Sequence, residues 1–119
     1  KKQNESNPHI FDRMKLYDVN EDVKALEKMI QLSRENDIQF IIYTTPHSKY
    51  LNETVDQINK DRFILILNTI SKKYDVPIHY LHEKYWGEKI WNDNSHVIMS
   101  NGGSHYMDLV NIILKNYDI

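Results

Sequence analysis

The feature that most constrains the fold is the run at residues 38–44, which is nearly all apolar and rich in β-branched and aromatic residues. Such a run predicts a strand that is buried on both faces of a sheet. Before it lies an amphipathic helix that we expect to begin at Asp18, because Asp18 and Glu21 have the spacing of a capping box. Asn36 and Asp37 are expected to end that helix. A helix that leads directly into a buried strand is typical of α/β proteins.

The same alternation is repeated further along the chain. Residues 52–73 predict a second helix by their length, with Asp75 expected to end it, although the apolar run 63–67 leaves a strand open as the alternative. Residues 76–81 predict a second strand, residues 82–89 a loop or short helix, and Ser100 or Asn101 the cap of a final helix. The apolar positions expected in the three helices are Val19, Val23, Leu26, Met29, Ile30, then Val55, Ile58, Leu65, Ile66, Ile70, then Tyr106, Leu109, Val110, Ile113 and Leu114.

Strands that alternate with helices predict a parallel sheet with helices on both faces, which is a three-layer αβα arrangement. Two predicted strands are few for three helices. We therefore expect an incomplete domain whose further strands come from an upstream segment or a second chain. Residues 1–17 are polar and irregular and are predicted to be a lead-in or linker, while residues 18–119 form the α/β domain.

Composition excludes several classes of function. The net charge is -2 and no basic run is present, so we expect no nucleic-acid partner. No apolar stretch approaches the roughly 20 residues of a membrane span. The absence of cysteine excludes disulfides, thiolate metal sites and a cysteine nucleophile. His79 and His82 are three apart, but a strand would point them to opposite faces, so we expect no metal and no cofactor.

One loop combines a chemically useful pair of side chains with turn-forming neighbours. Asp93 and His96 are three residues apart, and Asn92, Asn94 and Ser95 favour a turn that brings them together. An aspartate holds an imidazole in one tautomer and stabilises its protonated form, so that the imidazole can take a proton from a hydroxyl nucleophile. The alternative is a turn in which Asp93 caps a backbone amide and His96 lies on the surface.

Ligands of open parallel sheets bind at the carboxyl ends of the strands. The segment 45–48 follows the first predicted strand and the loop around His96 precedes the final helix, so both belong at this edge. We therefore expect His47 and His96 to face one crevice, with His47 and Ser48 in contact with substrate. Trp91 is predicted to form a wall of that pocket for a sugar or acyl group. The alternatives are a loop position for His47, a helix cap for Ser48 and core packing for Trp91.

The last third of the chain resembles the C-terminal block of the SGNH (GDSL-like) hydrolase superfamily. Those proteins end with Asp-x-x-His, a few residues, a glycine and a final helix. The corresponding order here is Asp93-Asn94-Ser95-His96, then Asn101-Gly102-Gly103 and the helix through Leu114. The layout before it is also similar, with Thr45-Pro46 after the first strand and residues 72–77 at the helix-to-strand step. The resemblance spans residues 18–117 and is closest to bacterial AlgX/AlgJ-like and DltD-like proteins, which handle acyl groups on cell-surface polymers.

The resemblance implies a flavodoxin-like, SGNH-like fold and a serine esterase or O-acyltransferase, with His96 as general base and Asp93 as its orienting partner. It also implies an acylated carbohydrate or small ester as substrate and a place outside the cytoplasm or at the cell envelope. The superfamily's Gly-Asp-Ser nucleophile motif and its oxyanion-hole Gly and Asn are absent from this sequence. The chain alone is therefore expected to be inactive, because the pair supplies neither an acyl-enzyme nor oxyanion stabilisation.

Two other functions remain open at this point. One is a non-catalytic α/β module that binds a carbohydrate or a protein. The other is an interaction domain whose strands complete the sheet of another chain. Ligand binding that survives loss of the His96 imidazole would indicate the first, and a concentration-dependent oligomer would indicate the second.

Overall fold

The computed structural model describes residues 20–93, 96–97 and 103–117. Within them the chain is mixed α/β, with four helices and two short strands. In order these elements are α1 (Glu21–Glu35), β1 (Ile42–Tyr43), α2 (Lys49–Glu53), α3 (Gln57–Tyr74), β2 (Ile78–His79) and α4 (Gly103–Asn116). The predicted lead-in at residues 1–17 and the predicted caps Ser100 and Asn101 lie outside the described residues.

The predicted start of the first helix at Asp18 is wrong, because α1 begins at Glu21. Asn20 has extended backbone geometry, and its side-chain oxygen accepts hydrogen bonds from the backbone amides of Asp22 (3.0 Å) and Val23 (3.1 Å). A helix start leaves its first amides without intrahelical partners, and Asn is among the side chains that satisfy them best. The cap is therefore a single asparagine rather than the capping box that the sequence indicated.

The predicted ends of the first two long helices are confirmed. Asn36 is the C-cap of α1, and the next residue, Asp37, has a left-handed conformation with φ of 56°. The amide of Ile38 then donates to the carbonyl of Ser33 at 2.8 Å. Asp75 ends α3 in the same left-handed region, with φ of 50°. Aspartate enters this region more readily than most residues, which is why it serves at helix ends here.

Both strands are shorter than predicted, but their parallel direction is confirmed. The strands expected at 38–44 and 76–81 reduce to two residues each, with Ile42 opposite Ile78 and Tyr43 opposite His79. A helical connection between them returns the chain in the same direction, as parallel pairing requires. At the carboxyl end, the amide of Thr44 still donates to the carbonyl of His79 at 2.9 Å. Next to this bond, the side-chain oxygen of Thr44 accepts from the backbone amides of Leu81 and His82.

The long helix predicted over residues 52–73 is two helices, α2 and α3, with a break at residues 54–56. The hydroxyl of Thr54 donates to the carbonyl of Leu51 at 2.7 Å, and Asp56 has extended backbone geometry as the N-cap of α3. Residues 63–67 lie inside α3, so the alternative of a strand for this apolar run is wrong. The break separates the short helix α2 from the long helix α3, and sequence periodicity alone did not separate them.

Only one side of helix α3 is buried, although apolar residues also lie on other sides of this helix. Ile66 and Ile70 are buried as predicted, whereas Ile58 and Leu65 are each 65% exposed. Leu67 and Tyr74 complete the buried side. The helix carries apolar residues around much of its circumference, so helical spacing left more than one candidate face and packing selected one of them.

Two hydrophobic clusters hold these elements together. The first joins α1, α3 and the approach to β2, with Leu26, Phe40 and Ile42 packed beside it; its buried members are Val23, Ile30, Ile66, Ile70, Tyr74 and Val76. The second lies beneath the turns after β2, which confirms a loop over residues 82–89; its buried members are Leu81, Tyr85 and Ile90, packed against Trp91, Val97, Leu109 and Ile112. The second cluster attaches both α4 and the loop around residue 96 to the body of the protein.

The side of helix α4 that packs against the rest of the protein differs from its predicted apolar face. Leu109 packs inward as expected, together with Ile112 and the buried His105. The other predicted positions are between 41% and 54% exposed; these are Tyr106, Val110, Ile113 and Leu114. Polar contacts accompany this packing: the hydroxyl of Tyr85 donates to Asp108, whose carboxylate also pairs with the ammonium of Lys84 at 2.8 Å.

Candidate functional site

The loop that carries the predicted catalytic pair is closed at its base. Trp91 and Val97 form an isolated antiparallel bridge, and the amide of Asn92 donates to the carbonyl of His96 at 2.8 Å. Trp91 and Val97 both pack on the second hydrophobic cluster. The loop is thus attached to the core through its two ends, and residues 94–95 at its tip lie outside the described part of the chain.

Asp93 and His96 are in direct contact. Asp93 Oδ2 lies 2.7 Å from His96 Nδ1, and Asp93 Oδ1 lies 2.9 Å from the same nitrogen. Asp93 Oδ1 also accepts from the backbone amide of His96 at 2.9 Å. The carboxylate therefore closes the turn and holds the ring at the same time. Asp93 therefore contacts the ring of His96, as the hypothesis of a catalytic pair predicts. It also caps a backbone amide, as the structural alternative predicts.

The contact determines which nitrogen of His96 carries the proton. An ionised carboxylate only accepts hydrogen bonds, so in the neutral ring the proton lies on Nδ1 and the lone pair on Nε2. A histidine in this tautomer is equipped to act as a base through Nε2 while Asp93 stabilises the imidazolium that results. The side chain of His96 is 68% exposed and that of Asp93 30% exposed. A reactant supplied from outside the described residues can therefore reach the ring.

The other predicted contact residues have structural partners. Ser48 is the N-cap of α2, and its hydroxyl oxygen accepts from the amide of Leu51 at 3.2 Å. Trp91 is half-buried against the second hydrophobic cluster. Both positions agree with the structural alternatives considered for them, and a substrate contact of either residue stays a prediction.

The chain contains a cavity of about 770 Å³ at the carboxyl ends of β1 and β2, where a parallel sheet is expected to bind ligands. His47 and His82 line it together with segments of α2 and α3, whereas Asp93, His96 and Trp91 lie outside its lining. The expectation that His47 and His96 face one crevice is therefore not met by this cavity. The loop around His96 projects from the second cluster, and the cavity opens beside the first.

A network of hydrogen bonds at the carboxyl ends of β1 and β2 fixes the position of His82. The buried hydroxyl oxygen of Thr44 accepts from the backbone amides of Leu81 (2.8 Å) and His82 (3.1 Å), and it lies 2.8 Å from His82 Nδ1. A hydroxyl has two acceptor lone pairs and one proton, so Thr44 donates that proton to His82 Nδ1. Since both lone pairs of the oxygen are already engaged, Thr44 is a positioning residue and not a nucleophile.

His47 is placed against His82 by the backbone. The amide of His47 donates to the carbonyl of His82 at 3.2 Å, and the indole of Trp86 donates to the carbonyl of His47 at 3.1 Å. The two imidazole centroids are 5.4 Å apart. The ring of Phe63 meets His82 edge-on at 5.6 Å. Two histidines that are 35 positions apart in sequence thus form one side of the cavity.

Burial keeps these two imidazoles neutral. It lowers the pKa of His47 from its ordinary value of 6.5, and the neighbouring His82 lowers the pKa further. Burial likewise lowers the pKa of His82, against a smaller opposing effect of the Glu83 carboxylate. Desolvation disfavours the charged form of a histidine, which is the physical cause in both cases.

His82 is the site residue that the sequence reasoning missed. The sequence points to His82 only as a possible metal ligand together with His79. No residue close to it in sequence indicates its contact with Thr44. The available signal was its position just after the second predicted strand, which is the same edge that pointed to His47. Among the described residues, no group of three or more His, Asp or Glu side chains is placed to hold a metal ion.

No helix within residues 20–93, 96–97 and 103–117 is long and apolar enough to cross a membrane. Comparison of the chain with protein-family models, with curated proteins and with solved structures found no match.

Proposed function

We propose that this chain is the C-terminal part of an SGNH-like, three-layer αβα domain that works as a serine esterase or O-acyltransferase. The observation that carries the proposal is the 2.7 Å contact between Asp93 Oδ2 and His96 Nδ1. The parallel pair β1 and β2 would belong to a larger sheet, completed by an upstream segment or a second chain. That additional part would also contribute the serine nucleophile and the oxyanion hole.

The chemistry follows from the tautomer that Asp93 imposes. His96 Nε2 takes the proton of the serine hydroxyl as its oxygen attacks the acyl carbon, and Asp93 stabilises the imidazolium. The imidazolium then gives the proton to the leaving alcohol oxygen, which leaves an acyl-serine. Water or an acceptor hydroxyl attacks this ester next; His96 removes its proton and gives it to the serine oxygen as the acyl–serine bond breaks. The first route is hydrolysis and the second is acyl transfer.

The substrate class is an ester-linked acyl group on a carbohydrate, a cell-surface polymer or a small ester. The loop around His96 supports this because it leaves the ring accessible from solvent, as a bulky polymeric substrate requires. We place the activity outside the cytoplasm or at the cell envelope, in accord with the resemblance.

The test is hydrolysis of p-nitrophenyl acetate by the protein together with its upstream segment, compared with this chain alone. We expect activity in the longer form only. Asp93→Asn should lower kcat by about four orders of magnitude, because the amide favours the wrong imidazole tautomer. His96→Ala should lower it at least as far, since no base remains.

Asp37→Asn is the matched control, because Asp37 is also an exposed aspartate and asparagine accepts its left-handed backbone. This variant should keep full activity. Undiminished hydrolysis by His96→Ala in the longer form would reject the base assignment. Equal activity of the 119-residue chain alone would reject the proposed external nucleophile.

A second candidate is a binding module without catalysis, and the cavity lined by His47 and His82 favours it. Such a module would bind its ligand equally well after His96→Ala. The two candidates are thus separated by one variant, since only the esterase needs the imidazole of residue 96.

A further inference from the structure

The cavity at the carboxyl ends of β1 and β2 has the size and lining of a small-molecule site. Its volume of about 770 Å³ lies within the range of roughly 300–1,000 Å³ that is typical of ligand pockets. Most of its wall is aliphatic or aromatic; examples are Ile42, Leu51, Val55, Phe63 and Ile64. An apolar wall of this extent stabilises an apolar ligand body, because binding removes both surfaces from water.

The polar groups of the cavity are concentrated around the two imidazoles. His47 Nε2 is buried and has no hydrogen-bond partner among the described residues. A buried polar atom without a partner destabilises the folded chain, and rotation of the His47 ring toward the cavity would let a ligand oxygen or hydroxyl satisfy it. Thr44 donates to His82 Nδ1, so the proton of the neutral His82 ring lies on Nε2 and can be donated.

The charges around these rings disfavour an anionic ligand. Lys60 and Asp61 enter the lining from α3 with opposite charges, and Glu83 adds a carboxylate after β2. Burial outweighs these groups and keeps the imidazoles uncharged, as the lowered pKa values of His47 and His82 indicate. Burial raises the pKa of the Tyr80 phenol, which also lines the cavity, so this group adds no charge at neutral pH.

We propose that this cavity binds an uncharged, mainly apolar molecule that carries one hydroxyl or carbonyl oxygen, which hydrogen-bonds to the imidazoles of His47 and His82. The site is separate from the Asp93/His96 pair and does not depend on the proposed esterase activity. The neutral rings contribute hydrogen bonds without the cost of burying a charge.

The test uses octanol as an uncharged probe and octanoate as a charged probe of the same chain length, each titrated into the chain by calorimetry. Octanol should bind saturably and more tightly than octanoate. His47→Phe keeps an aromatic ring but removes the hydrogen bond, and should weaken octanol binding about five-fold. Val55→Trp fills the cavity and should abolish binding. Val110→Trp, the matched control at an exposed position outside the cavity, should leave the affinity unchanged.

The pH dependence gives a second readout. A neutral ligand excludes water from the rings and so favours their uncharged forms, which means that binding lowers the pKa of both histidines further. Octanol affinity should therefore be constant near neutral pH and fall as the pH decreases through the lowered pKa values of the two histidines, below 6.5. His82→Phe should reduce this dependence on pH. His47→Phe should reduce it as well, and it serves as the test if His82→Phe does not fold.

Three results would overturn the proposal. One is tighter binding of octanoate than of octanol. Another is no saturable octanol binding up to the solubility limit of the probe. The third is octanol binding that is unchanged in both His47→Phe and Val55→Trp, since the probe would then occupy another surface. Loss of esterase activity in His96→Ala has no bearing on any of these outcomes.

Discussion

At the scale of single residues, two polar arrangements differ in how far apart their members lie in sequence. Asp93 and His96 are three residues apart, so turn chemistry alone brings them together, and the sequence predicted their contact. Thr44 and His82 are 38 positions apart and meet only because β1 and β2 pair in parallel. The first pair is a local property of a loop, whereas the second is a product of sheet register.

The Thr44 hydroxyl should be worth more to stability than its methyl group. Thr44→Val leaves the amides of Leu81 and His82 and the ring nitrogen Nδ1 of His82 without their partner, at a cost of about 3 kcal/mol. Thr44→Ser keeps the hydroxyl and should cost only about 1 kcal/mol for the lost methyl. Urea unfolding of the two variants measures the difference. A larger loss in the serine variant would show that packing, and not the network, dominates at this position.

At the scale of elements, side chains near helix ends set boundaries that apolar periodicity left open. The spacing of Asp18 and Glu21 indicated one start for the first helix, but Asn20 makes the cap. Both residue types are good caps, so the choice depends on where the first turn can pack. Val23 lies one turn inside and is buried in the first cluster, which fixes the start relative to the core.

Removal of the α1 cap should destabilise the protein measurably. Asn20→Ala deletes the oxygen that accepts from Asp22 and Val23, and should lower the free energy of unfolding by about 1 kcal/mol. Asn20→Ser retains an acceptor oxygen and should lose only a few tenths of a kcal/mol. Thermal unfolding followed by circular dichroism compares them. Equal stability of both variants and the parent would contradict the assigned cap.

At the scale of the whole molecule, each of the two hydrophobic clusters lies beside a different candidate site. The first cluster packs α1 and α3 against Ile42, which also lines the cavity. The second anchors Trp91 and Val97, the two ends of the loop that presents His96. The two candidate sites therefore lie beside different parts of the core.

A matched pair of isoleucines in α3 tests which side of that helix carries the stability. Ile70 is fully buried in the first cluster and Ile58 is 65% exposed. Ile70→Ala should cost about 3–4 kcal/mol through lost burial and a residual cavity. Ile58→Ala should change stability by less than about 0.5 kcal/mol. Similar midpoints for the two variants in urea unfolding would contradict the observed packing of α3.

The sequence by itself determined the order of the long elements, the parallel direction of the strands, the aspartates that end helices and the contact of Asp93 with His96. Each of these depends on neighbours within a few residues or on helical and strand periodicity. Tertiary structure alone decided the buried side of α3 and α4, the shortening of the strands and the meeting of Thr44, His47 and His82. These depend on which surfaces exclude water together, and that choice is made between segments far apart in the chain.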